Sequence, residues 1–194
     1  MRARLALASA GVTVELREIL LRDKAPEFLR ASPSATVPCL VAADAVIDES
    51  RDIMLWALRQ NDPEGWLDLP PEGHALIDQF DGPFKSALDR TKYSTRYPDC
   101  DREAERAKAS AQLSDLNRRL QGQSWLFGPH PTLADMAILP FVRQFAMIDK
   151  PWFDAQPWPA LADWLERFLT SDRLTAIMHK YPVWQACDPE TLFP

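Results

Sequence analysis

The sequence predicts two domains, an α/β domain at residues 1–60 and an all-helical domain at residues 74–194, joined by a linker at residues 61–73. In the first domain the apolar periodicity gives the order helix, strand, helix, strand, strand, helix. The linker gathers three prolines and two glycines, as is typical of a segment between domains. Every apolar pattern beyond it has helical spacing.

The first domain opens with "MRARLALASA", which is rich in good helix formers and is followed by Gly11 as a C-terminal cap. "VTVELRE" then alternates apolar and polar residues, which predicts a strand with one buried face. "APEFLRAS" places Pro26 in a first helical turn and predicts a short helix that ends before Pro33. "VPCLVA" and "AVI" flank Ala43-Asp44 and predict a β-hairpin, and "RDIMLWALRQ" predicts the last helix of the domain.

Five helical segments follow the linker. "HALIDQFDGPFKSALDRTKYSTRY" is expected to bend near Gly82-Pro83, and "DREAERAKASAQLSDLNRRLQG" is an amphipathic helix that ends at Gly122. "TLADMAILPFVRQFAMI" is almost entirely apolar, so we expect it at the centre of its domain. "PALADWLERFLTS" and "DRLTAIMHKY" predict two shorter outer helices.

Composition and motifs exclude several classes of function. The net charge of −6 and the pI near 5.1 argue against general nucleic-acid binding, which needs a basic surface. The chain has no apolar run long enough for a membrane span and no secretory signal, so we expect a soluble cytoplasmic protein without a membrane partner. No nucleotide-binding glycine loop and no GxSxG elbow is present. Neither the cysteines nor the histidines have metal-ligand spacing, so no metal is expected; they are Cys39, Cys100, Cys187, His74, His130 and His179.

A candidate site combines Pro38, at the head of an apolar strand, with Glu49 and Ser50, directly before a helix. The free N–H groups and dipole of a helix start favour an anion. Alternatively, Pro38 starts an edge strand and the other two residues only cap the helix. Cys39 follows Pro38, and its residue type fits a small buried hydrophobe better than a redox group.

Two further groups of residues could serve either folding or function. In "PTLAD", Thr132 and Asp135 fit a capping box, so we assign them to the start of the central helix rather than to chemistry. Several aromatic residues could line a ligand cleft or fill the core. We favour Phe84, Tyr93 and Tyr97 as cleft residues, because the first helix after the linker should face the other domain.

The run from "MRARLALASAGVTVELREILLRDKAPEFL" to "VPCLVAADAVIDES", together with "LFGPHPTLADMAILPFVRQF", resembles the soluble glutathione transferase family from end to end. "LRDKAPEFL" and the "VP…DES" spacing are most similar to its omega and stringent-starvation-protein-like branches. The resemblance implies a thioredoxin-like domain followed by an all-α domain, and a homodimer. It leaves two functions open, an enzyme of conjugating or thiol-transferase chemistry and a non-catalytic binding protein of the same fold.

The resemblance also implies roles for particular residues, with glutathione as substrate. Pro38 would be cis and would expose the backbone of Val37 to the cysteinyl part of glutathione. Glu49 would accept from the γ-glutamyl ammonium, and Ser50 would donate to the γ-glutamyl carboxylate. Lys24 would pair with the glycine carboxylate. An apolar or disulfide co-substrate would complete the reaction.

One departure from the family concerns the first strand and the turn that carries the sulfur-activating residue, since this sequence begins after both. We therefore expect the catalytic residue upstream of Met1, or a sheet that is rearranged or completed by another chain. The two strands that contain Val14 and Leu40 would otherwise share a missing neighbour and expose unpaired backbone groups.

Overall fold

The computed structural model describes residues 1–194 and divides into two compact units. The first unit combines residues 1–65 with residues 172–194, and the second contains residues 66–171. Along the chain the elements are α1 (Arg2–Ala10), β1 (Val14–Glu15), α2 (Pro26–Ala31), β2 (Leu40–Val41), β3 (Val46–Ile47), α3 (Ser50–Gln60), α4 (Pro71–Gln79), α5 (Lys85–Lys92), α6 (Arg102–Arg119), α7 (Leu133–Ala146), α8 (Lys150–Asp154), α9 (Pro159–Leu169), α10 (Asp172–Ile177) and β4 (Leu192–Phe193).

In the first unit, α1 packs against α3 and their apolar faces form the core. Leu5 on α1 and Met54 on α3 are both fully buried. Gly11 ends α1 in the left-handed conformation at φ 64°, which glycine adopts without steric strain, as the sequence predicts. The predicted order of helices and strands in residues 1–60 is therefore present.

The strands of the first unit form two separate antiparallel ribbons. One is the predicted hairpin, in which Leu40 pairs with Ile47. In the other, β1 pairs with β4, so that Val14 lies opposite Phe193. The sequence predicts a longer strand at "VTVELRE" and no partner for it in the C-terminal residues. The observed partner explains why residues 172–194 group with the first unit, whereas the sequence places all of residues 74–194 in the helical domain.

Arg4 on α1 holds this C-terminal segment in place. Its guanidinium forms an ion pair with Glu18 and donates to the carbonyl oxygen of Ile177 at 3.3 Å. It also lies 5.3 Å from the ring centroid of Tyr181 and 5.8 Å from that of Phe193. One cation on the first helix thus contacts the chain just after residue 172 and again at its last strand.

The second unit is helical, as predicted. The expected bend near Gly82-Pro83 is a π-helical turn at Phe80–Phe84 between α4 and α5. The central helix α7 is buried along most of its length and packs against α4, α5 and α9. The short helix α8 was not predicted. No helix of the protein is both long enough and apolar enough to cross a membrane.

A buried carboxylate organises the start of α7. Asp135 is 0% exposed and accepts from the backbone N–H and the hydroxyl of Thr132, at 2.8 and 2.9 Å. Its other oxygen accepts from the backbone N–H of Leu126 at 2.9 Å and from Trp164 Nε1 at 3.0 Å. Burial raises the pKa of Asp135, although these hydrogen bonds favour its charged form. The predicted capping box is present, and its acid also connects two distant parts of the unit.

Asp135→Ala should therefore destabilise the protein far more than Thr132→Ala. The first change leaves buried N–H groups without an acceptor, at roughly 1 to 3 kcal/mol each, whereas loss of the threonine cap costs about 1 kcal/mol. Urea denaturation of the two variants, followed by tryptophan fluorescence, measures both free energies of unfolding. If both variants lose the same free energy of unfolding, Asp135 acts only as a helix cap.

Phe193→Ala should loosen the first unit, because the Phe193 side chain is 2% exposed and truncation of a buried phenylalanine costs about 3 kcal/mol or more. Its neighbour Leu192 is 56% exposed and provides the matched control, Leu192→Ala. Hydrogen exchange at Leu16, whose N–H donates to the carbonyl oxygen of Thr191 at 2.7 Å, should accelerate only in the first variant. Unchanged exchange would mean that β4 does not stabilise β1.

Candidate functional site

Loop 32–36, between α2 and β2, forms one side of the candidate site. Its residue Ala35 has a positive φ of 53°, which is uncommon for a residue other than glycine. Lys24 donates from Nζ to the carbonyl oxygen of Ala35 at 3.0 Å. The cation that the resemblance assigns to the glycine carboxylate therefore lies on this loop.

The loop leads into the Val37–Pro38 peptide bond, which is cis, as the resemblance implies. Val37 is 46% exposed, which is a large fraction for an apolar residue so close to a strand. Val37 is thus partly accessible to a ligand. Pro38 stands two residues before Leu40, the first residue of β2.

The N-terminus of α3 forms the other side. The helix begins at Ser50, and Glu49 is the residue before it in extended conformation. Neither side chain caps the helix or makes another hydrogen bond within the protein. The capping interpretation of these two residues therefore lacks its hydrogen bond, and both groups are free to meet a ligand beside the N–H groups of the helix start.

Asp48 joins the two sides, a role that the sequence analysis missed. Its carboxylate accepts from the hydroxyl of Ser32 at 2.9 Å and from the backbone N–H of Ser34 at 3.0 Å. Desolvation alone would raise the pKa of Asp48, but hydrogen bonds from Ser34, Cys39 and Ser32 lower it overall. The sequence signal was an acid directly before Glu49, but no spacing rule connects such an acid with serines in a distant loop.

Cys39 is half-buried beside this carboxylate. Desolvation, followed by the neighbouring Asp48 carboxylate, raises the pKa of the Cys39 thiol from 9.0 to about 11. A thiol attacks as its thiolate, and this one stays protonated at neutral pH. Cys39 is therefore not a nucleophile in this site at neutral pH.

The predicted cleft residues lie in the second unit and differ in exposure. Phe84 is 0% exposed, with its ring centroid 6.0 Å from that of Phe145. Tyr93 is half-buried and carries the guanidinium of Arg96 at 4.6 Å from its ring centroid, and Tyr97 is 37% exposed. Phe84 is thus part of the core, while the two tyrosines offer side-chain surface to a ligand.

A depression of about 230 Å³ between α8 and α9 in the second unit is lined by none of the predicted binding residues. Its lining combines charged and apolar side chains, among them Lys150, Phe153, Asp154, Asp163 and Glu166. No group of three or more His, Cys, Asp or Glu side chains is arranged to hold a metal ion. The three cysteines are free thiols.

Comparison with protein families gives two matches. The family model "Glutathione S-transferase, N-terminal domain" matches residues 1–60, and "Glutathione S-transferase, C-terminal domain" matches residues 101–167. Among curated proteins, glutathione S-transferase D7 of Drosophila melanogaster is 32% identical over 156 residues, and D6 of the same organism is 30% identical over 149 residues. These alignments cover 73% and 72% of the chain but only 65% and 66% of the two relatives.

Solved structures agree with this result. The ternary complex of BphK, a bacterial GST, superimposes with a TM-score of 0.77 at 18% identity, covering 91% of this chain and 92% of that one. A glutathione transferase family member from Pseudomonas fluorescens, with two glutathione bound, gives a TM-score of 0.76 at 18% identity, covering 91% and 86%. At this identity the likeness shows a shared fold alone. That fold, a small thioredoxin-like α/β domain followed by a helical domain, is the one that the sequence predicts.

The raised pKa of Cys39 predicts slow alkylation of this residue. In a Cys100→Ser, Cys187→Ser background, its rate with iodoacetamide should rise about tenfold per pH unit up to pH 10, because the thiolate is the reacting form. At pH 9.0, about a hundredth of the Cys39 thiol should be in the thiolate form, because this pH lies two units below the pKa of about 11. The rate at each pH is measured from the intact mass after timed labelling, and a plateau below pH 9.5 would contradict the raised pKa of Cys39.

Proposed function

Because the chain belongs to the glutathione S-transferase family, we propose that its first unit binds glutathione as a substrate for transferase or thiol-transfer chemistry. One observation carries the proposal: the Glu49 carboxylate and the Ser50 hydroxyl lie at a helix N-terminus without any partner in the protein. A helix start with free N–H groups attracts a carboxylate, and the adjacent acid attracts an ammonium group. The γ-glutamyl end of glutathione carries both groups on one carbon.

The other parts of glutathione are assigned to the opposite side of the site. Val37, which is partly exposed next to the cis peptide bond, would pair through its backbone with the cysteinyl part of the tripeptide. Lys24, which now donates to the carbonyl oxygen of Ala35, would donate to the glycine carboxylate. Such charge-assisted hydrogen bonds are the stronger ones in proteins, so the two ends of the ligand would fix the position of its sulfur.

In the proposed reaction, the glutathione sulfur attacks either an electrophilic carbon, displacing a leaving group, or one sulfur of a disulfide, displacing the other as a thiolate. The four residues assigned above hold glutathione and do not act on its sulfur. Tyr93 and Tyr97 are proposed to contact an apolar co-substrate. The assignment to an omega-like branch, the homodimer and the cytoplasmic location belong to the same proposal.

Two assays test this function. Retention on immobilised glutathione, with elution by free reduced glutathione, measures binding. Turnover with 1-chloro-2,4-dinitrobenzene tests conjugation, and turnover with a glutathionylated disulfide tests thiol transfer. Retention without turnover of either kind would favour a binding protein of this fold, and absence of retention would refute the proposal.

Glu49→Ala and Ser50→Ala should each weaken glutathione binding without unfolding the protein. Each removes a hydrogen bond to a charged group of the ligand, worth about 1.5 to 3 kcal/mol, which corresponds to a 10- to 150-fold rise in Kd. Titration calorimetry with reduced glutathione measures the change. Asp52→Ala, which removes an exposed carboxylate from the first turn of the same helix, is the matched control and should bind like wild type.

If both Glu49→Ala and Ser50→Ala bind glutathione with wild-type affinity, these residues are not its ligands. If the Kd for glutathione also rises in the Asp52→Ala control, the loss of affinity comes from a change in the helix as a whole rather than from the side chains of Glu49 and Ser50. Melting temperatures close to that of wild type in all three variants are required before either conclusion is drawn.

A further inference from the structure

Asp48 bonds loop 32–36 to the segment that leads into α3. One oxygen accepts from the hydroxyl of Ser32 and the other from the backbone N–H of Ser34, at 2.9 and 3.0 Å. Both contacts span a long stretch of chain, 16 and 14 residues. Since the next residue is Glu49, any movement of Asp48 is passed directly to the first turn of α3.

The loop has few other means of holding its shape. It contains no helix or strand, and its internal hydrogen bonds are a short turn from Ser32 to Ala35 and contacts of the Ser34 hydroxyl. That hydroxyl lies 2.6 Å from the Thr36 hydroxyl and 3.4 Å from the Ser32 hydroxyl, and it accepts from the Thr36 N–H at 3.2 Å. Lys24 anchors it through a single carbonyl oxygen. Without Asp48, the Ser34 N–H would turn to water and the loop would sample many conformations.

We propose that Asp48 is a positioning residue that sets the distance between the two halves of the glutathione site, Val37 on one side and Glu49 with Ser50 on the other. The inference rests on the proposed function. A ligand that contacts both halves binds more tightly when they are already held in place, because the ordering of the loop is then not part of the binding free energy. Asp48 contributes in this way without touching glutathione.

The position of Cys39 supports the same positioning role for Asp48. Its thiol lies near the Asp48 carboxylate, whose charge contributes to the raised pKa of the thiol. The carboxylate therefore has this polar neighbour in addition to the two donors from the loop. An acid placed only for solubility would not accept two hydrogen bonds from a distant segment of the chain.

The experiment compares Asp48→Ala with Asp48→Asn and with a control, Asp44→Ala, which removes an exposed acid from the hairpin turn. An asparagine can still accept from the Ser34 N–H and donate to the Ser32 hydroxyl. Asp48→Ala should raise the Kd for reduced glutathione about tenfold and accelerate hydrogen exchange at Ser34 and Thr36. Asp48→Asn should recover most of the affinity, and Asp44→Ala should match wild type.

Ser32→Ala keeps the charge of Asp48 and removes one anchor, so it serves if Asp48→Ala does not fold. It should raise the Kd for glutathione about threefold and accelerate exchange in the loop. Combined with Asp48→Asn, it should show coupling rather than simple addition, since both changes act on one contact.

Three results would overturn the inference. If wild type binds glutathione and Asp48→Ala binds it equally well, the position of the loop does not matter. If Asp48→Asn is as weak as Asp48→Ala, the charge itself acts on the ligand and Asp48 is a direct contact. If wild type binds no glutathione, the proposed function fails first and this role fails with it.

Discussion

The first unit depends on hydrogen bonds from side chains to hold its backbone, because its strands are too short to do so. Each of the four strands has two residues, and they form two ribbons rather than one sheet. Asp48 binds a loop N–H, Lys24 binds a loop carbonyl, and Arg4 binds a carbonyl near the end of the chain. Each of these charged groups satisfies a backbone atom that lies outside the strand ladders. In the second unit, Asp135 has the same function at a helix start.

Local patterns in the sequence were sufficient for the elements of residues 1–60, for the helical second half and for the fold class, which the structural matches confirm. Apolar periodicity is a local signal, as are a glycine that ends a helix, such as Gly11, and a proline in a first helical turn, such as Pro26. One sequence is therefore enough to recognise them. β4 could not be predicted in this way. Its two residues are too few for a period, and its partner Val14 lies at the opposite end of the sequence. Contacts of that range depend on the assembled fold rather than on neighbouring residues.

The sequence indicated candidate site residues where the residue type limits the possible chemistry. It could not do so where a cleft residue differs from a core residue only in burial. An acid and a serine at the start of a helix allow two interpretations, ligand binding and capping, and the structure shows no hydrogen bond by which Glu49 caps the helix. Phe84 illustrates the other case. A phenylalanine that lines a cleft and one that fills a core have the same spacing on a helix, so its 0% exposure became known only from the packing. Asp48 was missed because its partners are loop serines, which follow no period.

The pairing of β1 with β4 makes the first unit discontinuous in the chain, with the whole second unit between its two parts. On the ribosome, residues 66–171 emerge before residues 172–194, so the second unit has its complete sequence while the first still lacks α10 and β4. The usual order of synthesis, in which the N-terminal domain folds first, is therefore reversed for the final step. Residues 172–194 must therefore leave the ribosome before Phe193 can cover β1, and until then the nascent chain has the complete sequence of its second unit while its first unit lacks a helix and the partner strand of β1.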